Sequence, residues 1–155
     1  MIQIRKAKVS DVEAIFDLIQ LYAEQGLLLA RTRESLYQNL QAIFVAVKDN
    51  KVVGSASLHI LDKQLAEIRS LVVAEDQGKL GIGKRLVEKV VDETKNLEID
   101  KLISLTYQVE FFSKCGFEVT VKDTMPQKVW IDCIHCPKLH NCDEIAMVYY
   151  TKQLV

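Results

Sequence analysis

The sequence predicts an α/β fold, a mixed sheet with helices on its faces, with elements in the order β-α-α-β-β-β-α-β-α-β-β. Three observations carry this. Segments in which apolar and polar residues alternate are interleaved with segments whose apolar residues recur every three or four positions. A glycine-rich turn, "GKLGIG" (78–83), joins an apolar strand to an amphipathic helix. The chain has 155 residues, 49% of them apolar, enough to bury a core without disulfides or metal.

Each element has its own signal. "MIQIRKA" alternates and reads as a first strand. In "SDVE" (10–13), Ser10 and Glu13 have the spacing of a capping box. Val12, Ile15, Ile19 and Tyr22 follow at helical spacing, and the helix is expected to end near Gly26. "LLLARTRESLYQNL" reads as a loop into a short second helix, with Arg31 and Arg33 near the turn. "AIFVAV" and "VVGSASLHIL" flank the polar turn "KDNK", a hairpin pattern, and "AEIRSLVV" is a further strand. Beyond the glycine turn, "KRLVEKVVDETKNL" places Leu86, Val90 and Val91 at helical spacing. "KLISLTY" reads as a strand, "VEFFSKC" as a short helix, "GFEVTV" as a strand and "EIAMVYYTK" as the last strand. With no repeat and no linker, one domain is expected over 1–155, carrying a Cys-rich loop at 124–143 between the last two strands.

Composition narrows the function classes. A net charge of −1 offers neither nucleic acid nor an anionic membrane a reason to bind. No apolar run approaches the roughly 20 residues that span a bilayer. Polar residues break every apolar stretch of "MIQIRKAKVSDVEAIF", so it is not a secretory signal. The expectation is a cytoplasmic chain with reduced cysteines. Its oligomeric state, monomer or homodimer, is left open.

Glycines in "GKLGIG" let the backbone approach a ligand, and the following helix start offers N–H groups to phosphate oxygens. Lys79, Lys84 and Arg85 add positive charge around the same turn. A turn that needs glycine only for its own conformation is the competing reading. No Gly-Lys-Ser/Thr closes the turn, so it is not a Walker loop. A dinucleotide fingerprint would open the first βα unit, whereas these glycines follow four predicted strands.

The motif and element order together resemble the GCN5-related N-acetyltransferase (GNAT) superfamily, over nearly the whole chain. Its signature Q/R-x-x-G-x-G/A lies between the fourth strand and third helix and cradles the pyrophosphate of acetyl-CoA. Here the Q/R position holds Gly78, and Gln77 stands one residue earlier; the backbone cradle does not depend on that side chain. The resemblance implies a mostly antiparallel sheet in which the fourth and fifth strands splay. It also implies that backbone groups of Leu71, Val72 and Val73 pair with the pantetheine arm. Gly78, Lys79, Leu80, Gly81, Ile82, Gly83 and Lys84 form the implied phosphate cradle.

Acetyl transfer to an amine needs the amine uncharged, so a nearby base helps at neutral pH. Glu67 lies fourteen residues before Gly81, a spacing similar to that of the superfamily's general-base glutamate. In a sheet-lined pocket its pKa would rise and suit the task. A solvated carboxylate at the strand's start is the alternative. Many members protonate the leaving thiolate with a tyrosine in "F-Y-x-K-x-G-F"; here the stretch is "FFSKCGF" (111–117), and Phe112 fills that position. A thiol pKa near 8.5 makes the thiolate a fair leaving group without it. Cys115 in the same stretch reads as a small buried thiol rather than a nucleophile.

The stretch "EQGLLLARTRESL", with "LAEIRSLVV" and "LTYQVEFFSKCGF", is similar to the short, stand-alone N-acetylglutamate synthases, which open arginine biosynthesis. The resemblance implies that L-glutamate is the acceptor and that Arg31 is its arginine, since guanidinium groups bind carboxylates bidentately. Longer members have a second arginine where this chain has Tyr107; Arg69, two residues from Glu67 along the strand, and Lys128 are the candidates to replace it. Two further readings compete: an acetyltransferase for another small amine or a protein N-terminus, and a non-catalytic acyl-CoA-binding module.

One cluster stands apart. "DCIHCPKLHNC" (132–142) sets Cys133, Cys136, His140 and Cys142 at a spacing that fits four ligands around a structural zinc, or equally a set of reduced thiols, with a disulfide disfavoured by compartment. A catalytic zinc is not expected, because acetyl transfer from a thioester needs no Lewis acid. The surrounding tail, with Lys128 and Trp130, is similar to that of the short synthases.

Overall fold

The structure, a computed structural model, describes residues 1–77, 81–120 and 145–151. Lys128 and the candidate ligands Cys133, Cys136, His140 and Cys142 lie outside the described residues, as do Gly78, Lys79 and Leu80.

The described elements are β1 (Ile2–Lys6), α1 (Val12–Glu24), α2 (Arg33–Gln38), β2 (Ile43–Lys48), β3 (Lys51–Asp62), β4 (Leu65–Val73), α3 (Ile82–Asn96), β5 (Lys101–Thr106), α4 (Val109–Lys114), β6 (Glu118–Val119) and β7 (Ile145–Tyr150). This is the predicted order. The strands form a mixed sheet in the order β1-β2-β3-β4-β5-β7-β6. The chain divides into two compact units, Met1–Leu58 with Ile68–Val90, and His59–Glu67 with Val91–Val155. Among the described residues no helix is long and apolar enough to cross a membrane.

In the first unit, Val12, Ile15 and Ile19 of α1 pack with Leu36, Ile43, Val45 and Val72 as a buried cluster, against which Tyr22 and Leu28 lie half-buried. The helical stripe read from the sequence is therefore the face that packs. The start of α1 differs from the Ser10–Glu13 capping box. A 3-10 turn, Val9–Asp11, precedes the helix, and it is Asp11 whose carboxylate accepts the Lys8 N–H at 2.7 Å. Arg5 closes the same carboxylate with two bonds, 2.7 and 3.1 Å. Glu13 instead pairs, exposed, with Arg33. The helix ends as expected: Gly26 at φ +73° allows the Gly26 and Leu27 N–H groups to bond back to Ala23 and Tyr22. Asp49 and Asn50, both with positive φ, make the two-residue hairpin turn between β2 and β3.

In the second unit, β5 pairs antiparallel with β7 over six positions, from Lys101↔Tyr150 to Thr106↔Ile145. Leu65, Ile103 and Val148 form its buried cluster, flanked by Leu61 and Leu105. The strand expected over 116–121, whose last residue lies outside the described ones, starts only at Glu118, because Gly116 turns the chain at φ +96° first. Phe112 and Phe117 are buried edge to face, 5.0 Å between centroids, and Tyr149 lies 5.4 Å from Phe117. A Cβ on Gly116 would stand 3.0 Å from the Tyr149 ring, so packing as well as φ requires glycine there.

Candidate active site

The first half of β4 is regular and buried. Leu65, Ala66, Glu67 and Ile68 are all below a tenth exposed, with Glu67 at 5%. Its parallel ladder with β5 consists of Ala66↔Leu102 and Glu67↔Ile103. Glu67 is therefore a carboxylate set among apolar strand residues, and the alternative of a solvated group does not hold.

The second half behaves differently. Ser70 has φ +53°, a left-handed conformation that side chains other than glycine seldom adopt inside a strand. Arg69, Ser70 and Leu71 are half-buried where the preceding residues are buried. The buried Ser57 hydroxyl of β3 donates to the Arg69 carbonyl at 3.1 Å, on the peptide that leads into the kink. Beyond the kink, Val72 rejoins the core, and the Ala74 N–H donates to the Val53 carbonyl at 2.8 Å. Groups of residues 72 and 74 thus face β3, and by strand alternation the N–H and C=O of Val73 point away from it. The Val73 carbonyl accepts the Tyr22 hydroxyl. Burial, and then the Glu75 carboxylate, raise the Tyr22 phenol above its ordinary range, so it remains a donor at neutral pH.

The two loop arginines part company. Arg33 lies against α1, its guanidinium 4.1 Å from the Phe16 ring centre and 2.9 Å from Glu13. Arg31 reaches β4, where its Nε donates to the Ser70 hydroxyl at 3.4 Å. Tyr22 anchors the loop's start, and Thr32, capping the Ser35 N–H at 3.0 Å, anchors its end.

The described part of the glycine turn begins at Gly81, exposed and at φ +71°. Among the described residues a Cβ there would meet nothing within 4 Å, so the backbone angle calls for glycine. The Gly81 carbonyl accepts the Arg85 N–H at 3.1 Å, the first bond of α3. By helix geometry the N–H groups of the turn before it have no partner within the helix. Ile82 is buried, Gly83 half-buried, and Lys84 and Arg85 are exposed beside the helix start. The left-handed glycine, the N–H groups of the helix start that have no partner within the helix, and the flanking cations fit an anionic phosphate ligand. Gln77, one residue before the Q/R position, holds its side-chain oxygen toward β2, where it accepts Lys48 Nζ at 3.2 Å.

Gly54 of β3 is a determinant that sequence reading missed. A Cβ there would stand 3.0 Å from the Val72 carbonyl oxygen, 3.1 Å from Leu86 Cδ1 and 3.3 Å from Ile82 Cγ2. Its absence lets α3 lie close against β3 and β4, which places the helix start beside Val72. A glycine inside "VVGSASLHIL" was the available signal, since an isolated strand glycine marks close approach of another element. The other expected residues fall elsewhere. Phe112 is a core ring, packed with Phe111 and Phe117. Cys115 is half-buried rather than buried.

Comparison with known proteins follows the same lines. Residues 12–117 match the model of the acetyltransferase (GNAT) family. An uncharacterised N-acetyltransferase of Chlorobaculum tepidum is 37% identical over 94% of both chains. The amino-acid acetyltransferase of Mycobacterium tuberculosis is 35% identical over 74% of this chain and 67% of its own. Among solved structures, N-acetylglutamate synthase from Neisseria gonorrhoeae, complexed with coenzyme A and N-acetyl-glutamate, superposes with a TM-score of 0.89 at 26% identity. The match covers 99% of this chain and 36% of that one. A Mycobacterium tuberculosis protein solved with CoA superposes at 0.82 and 27% identity, covering 96% of this chain and 98% of its own.

Proposed function

The chain belongs to the acetyltransferase (GNAT) family, and from that premise we propose that it is a single catalytic domain that transfers the acetyl group of acetyl-CoA to the α-amine of an amino acid, L-glutamate first, as the opening step of arginine biosynthesis. The observation that carries the choice of acceptor is Arg31. It is drawn from its loop onto β4 at Ser70, in the unit that also holds the glycine turn. A guanidinium there suits a carboxylate-bearing acceptor and opposes a polyamine. Two relatives named amino-acid acetyltransferases, and a structural neighbour holding N-acetyl-glutamate, support the same choice.

In this reading, N–H groups at the start of α3 and the exposed Lys84 receive the cofactor's phosphates. Leu71–Val73 offer backbone groups to its pantetheine arm, with Tyr22 already occupying the Val73 carbonyl. Arg31 and Arg69 orient the acceptor's carboxylates. Glu67 takes the proton from the ammonium, and the freed amine attacks the thioester carbonyl within a ternary complex. The tetrahedral intermediate then loses the second proton from its nitrogen to solvent and expels CoA thiolate, whose modest basicity lets solvent return a proton to it, so no tyrosine is needed at Phe112.

A CoA-release assay over a panel of amino acids, small amines and an N-terminal peptide tests the proposal. Release with L-glutamate well above the other acceptors, abolished by Glu67→Gln, is expected. Preference for a polyamine or a peptide would overturn the acceptor assignment, and no release from any acceptor would leave an acyl-CoA-binding module.

A further inference from the structure

Among the described residues, four other than glycine have positive φ. Asp49 and Asn50 form a hairpin turn and Glu98 follows the end of α3; Ser70 alone lies inside a strand. Such a conformation persists only where its surroundings hold it, and it concentrates at working sites. Two contacts hold this one. On the preceding peptide, Ser57 donates to the Arg69 carbonyl, and two residues later Val72 is locked in the core. Glycine would adopt the same angle without strain. What serine adds is a hydroxyl, and that hydroxyl accepts Arg31 Nε at 3.4 Å.

We propose that Ser70 is a positioning residue for the acceptor's carboxylate: the kink in β4 presents its hydroxyl to Arg31, fixing the guanidinium plane through Nε in the orientation that meets the carboxylate. The proposal rests on the reading that Arg31 binds the acceptor. Arginine has a long, freely rotating side chain, and ordering it before the acceptor arrives removes part of the entropic cost of binding. The kink therefore tunes recognition of the acceptor, while the cofactor's contacts lie beyond it at Leu71–Val73 and α3.

The test is steady-state kinetics with acetyl-CoA and L-glutamate on Ser70→Gly, Arg31→Ala and the double variant, with melting temperature measured alongside. Ser70→Gly keeps the backbone angle and removes only the hydroxyl. It is expected to raise the L-glutamate KM about two- to tenfold, as for loss of one ordinary hydrogen bond. The acetyl-CoA KM, kcat and melting temperature should stay near wild type, and the effect should vanish in the Arg31→Ala background. A wild-type L-glutamate KM in Ser70→Gly, or an equal rise with and without Arg31, would overturn the proposal. If Arg31→Ala itself leaves the L-glutamate KM unchanged, the reading of Arg31 fails, and the proposal with it, recognisably through that variant alone.

Discussion

The two halves of β4 obey different rules. From Leu65 to Ile68 the strand is buried, regular and paired with β5, and it carries one carboxylate, Glu67. From Arg69 to Val73 it is half-buried at every residue but Val72, kinked at Ser70, and its polar groups are met by side chains: Ser57 on the Arg69 carbonyl, Arg31 on Ser70, Tyr22 on the Val73 carbonyl. Where the strand buries a carboxyl group it is regular. Where the strand gives up regularity, at Ser70, neighbouring side chains hold the irregular shape.

Substitutions can break this contrast. The largest effect is expected in the regular half, where Glu67→Gln should lower kcat at neutral pH about 100-fold, as for loss of a general base, while the acetyl-CoA KM stays within about twofold. In the kinked half, Arg31→Ala should raise the acceptor KM about tenfold or more with little change in kcat, the pattern of lost uniform binding. Gly54→Ala pushes a methyl group against the Val72 carbonyl, Leu86 and Ile82. It should cost about 1–3 kcal/mol of stability by denaturant titration and raise the acetyl-CoA KM, since the helix start is displaced from β4. Tyr22→Phe removes one hydrogen bond and should cost about 1 kcal/mol, read as a severalfold rise in the acetyl-CoA KM.

The smallest effect lies away from β4. The Arg5 guanidinium, with help from the Lys8 N–H, lowers the Asp11 carboxyl below its ordinary value near 3.8. Its contribution to stability is therefore complete above the unfolded value and is lost as pH falls through the lower folded one. Asp11→Asn should lower stability at neutral pH and flatten the acid limb of the stability–pH curve, measured by thermal melts from pH 7 to 2.

Much of this was legible in the sequence because its signals are local. The element order follows from hydrophobic period, and the helix ending at Gly26 and the Asp49–Asn50 turn follow from residues that tolerate positive φ. Glu67 and the glycine turn were legible by spacing and by resemblance to a known family. What escaped depends on contacts between different elements. Asp11 replaced Ser10 as the closing residue at α1 because Arg5, on a neighbouring strand, binds it bidentately. Nothing in "AEIRSLVV" marks Ser70 as left-handed, since the kink is held by Ser57 and Val72. Gly54 could have been suspected as a strand glycine, but which elements it brings together could not.

The most direct measurement of the contrast is full two-substrate kinetics of Glu67→Gln beside Arg31→Ala, with acetyl-CoA and L-glutamate each varied at saturating levels of the other. The account predicts separate signatures: Glu67→Gln loses kcat and keeps both KM values, whereas Arg31→Ala keeps kcat and loses only affinity for L-glutamate. Two variants that alter the same parameter to the same extent, or a Glu67→Gln enzyme with wild-type kcat at neutral pH, would contradict it.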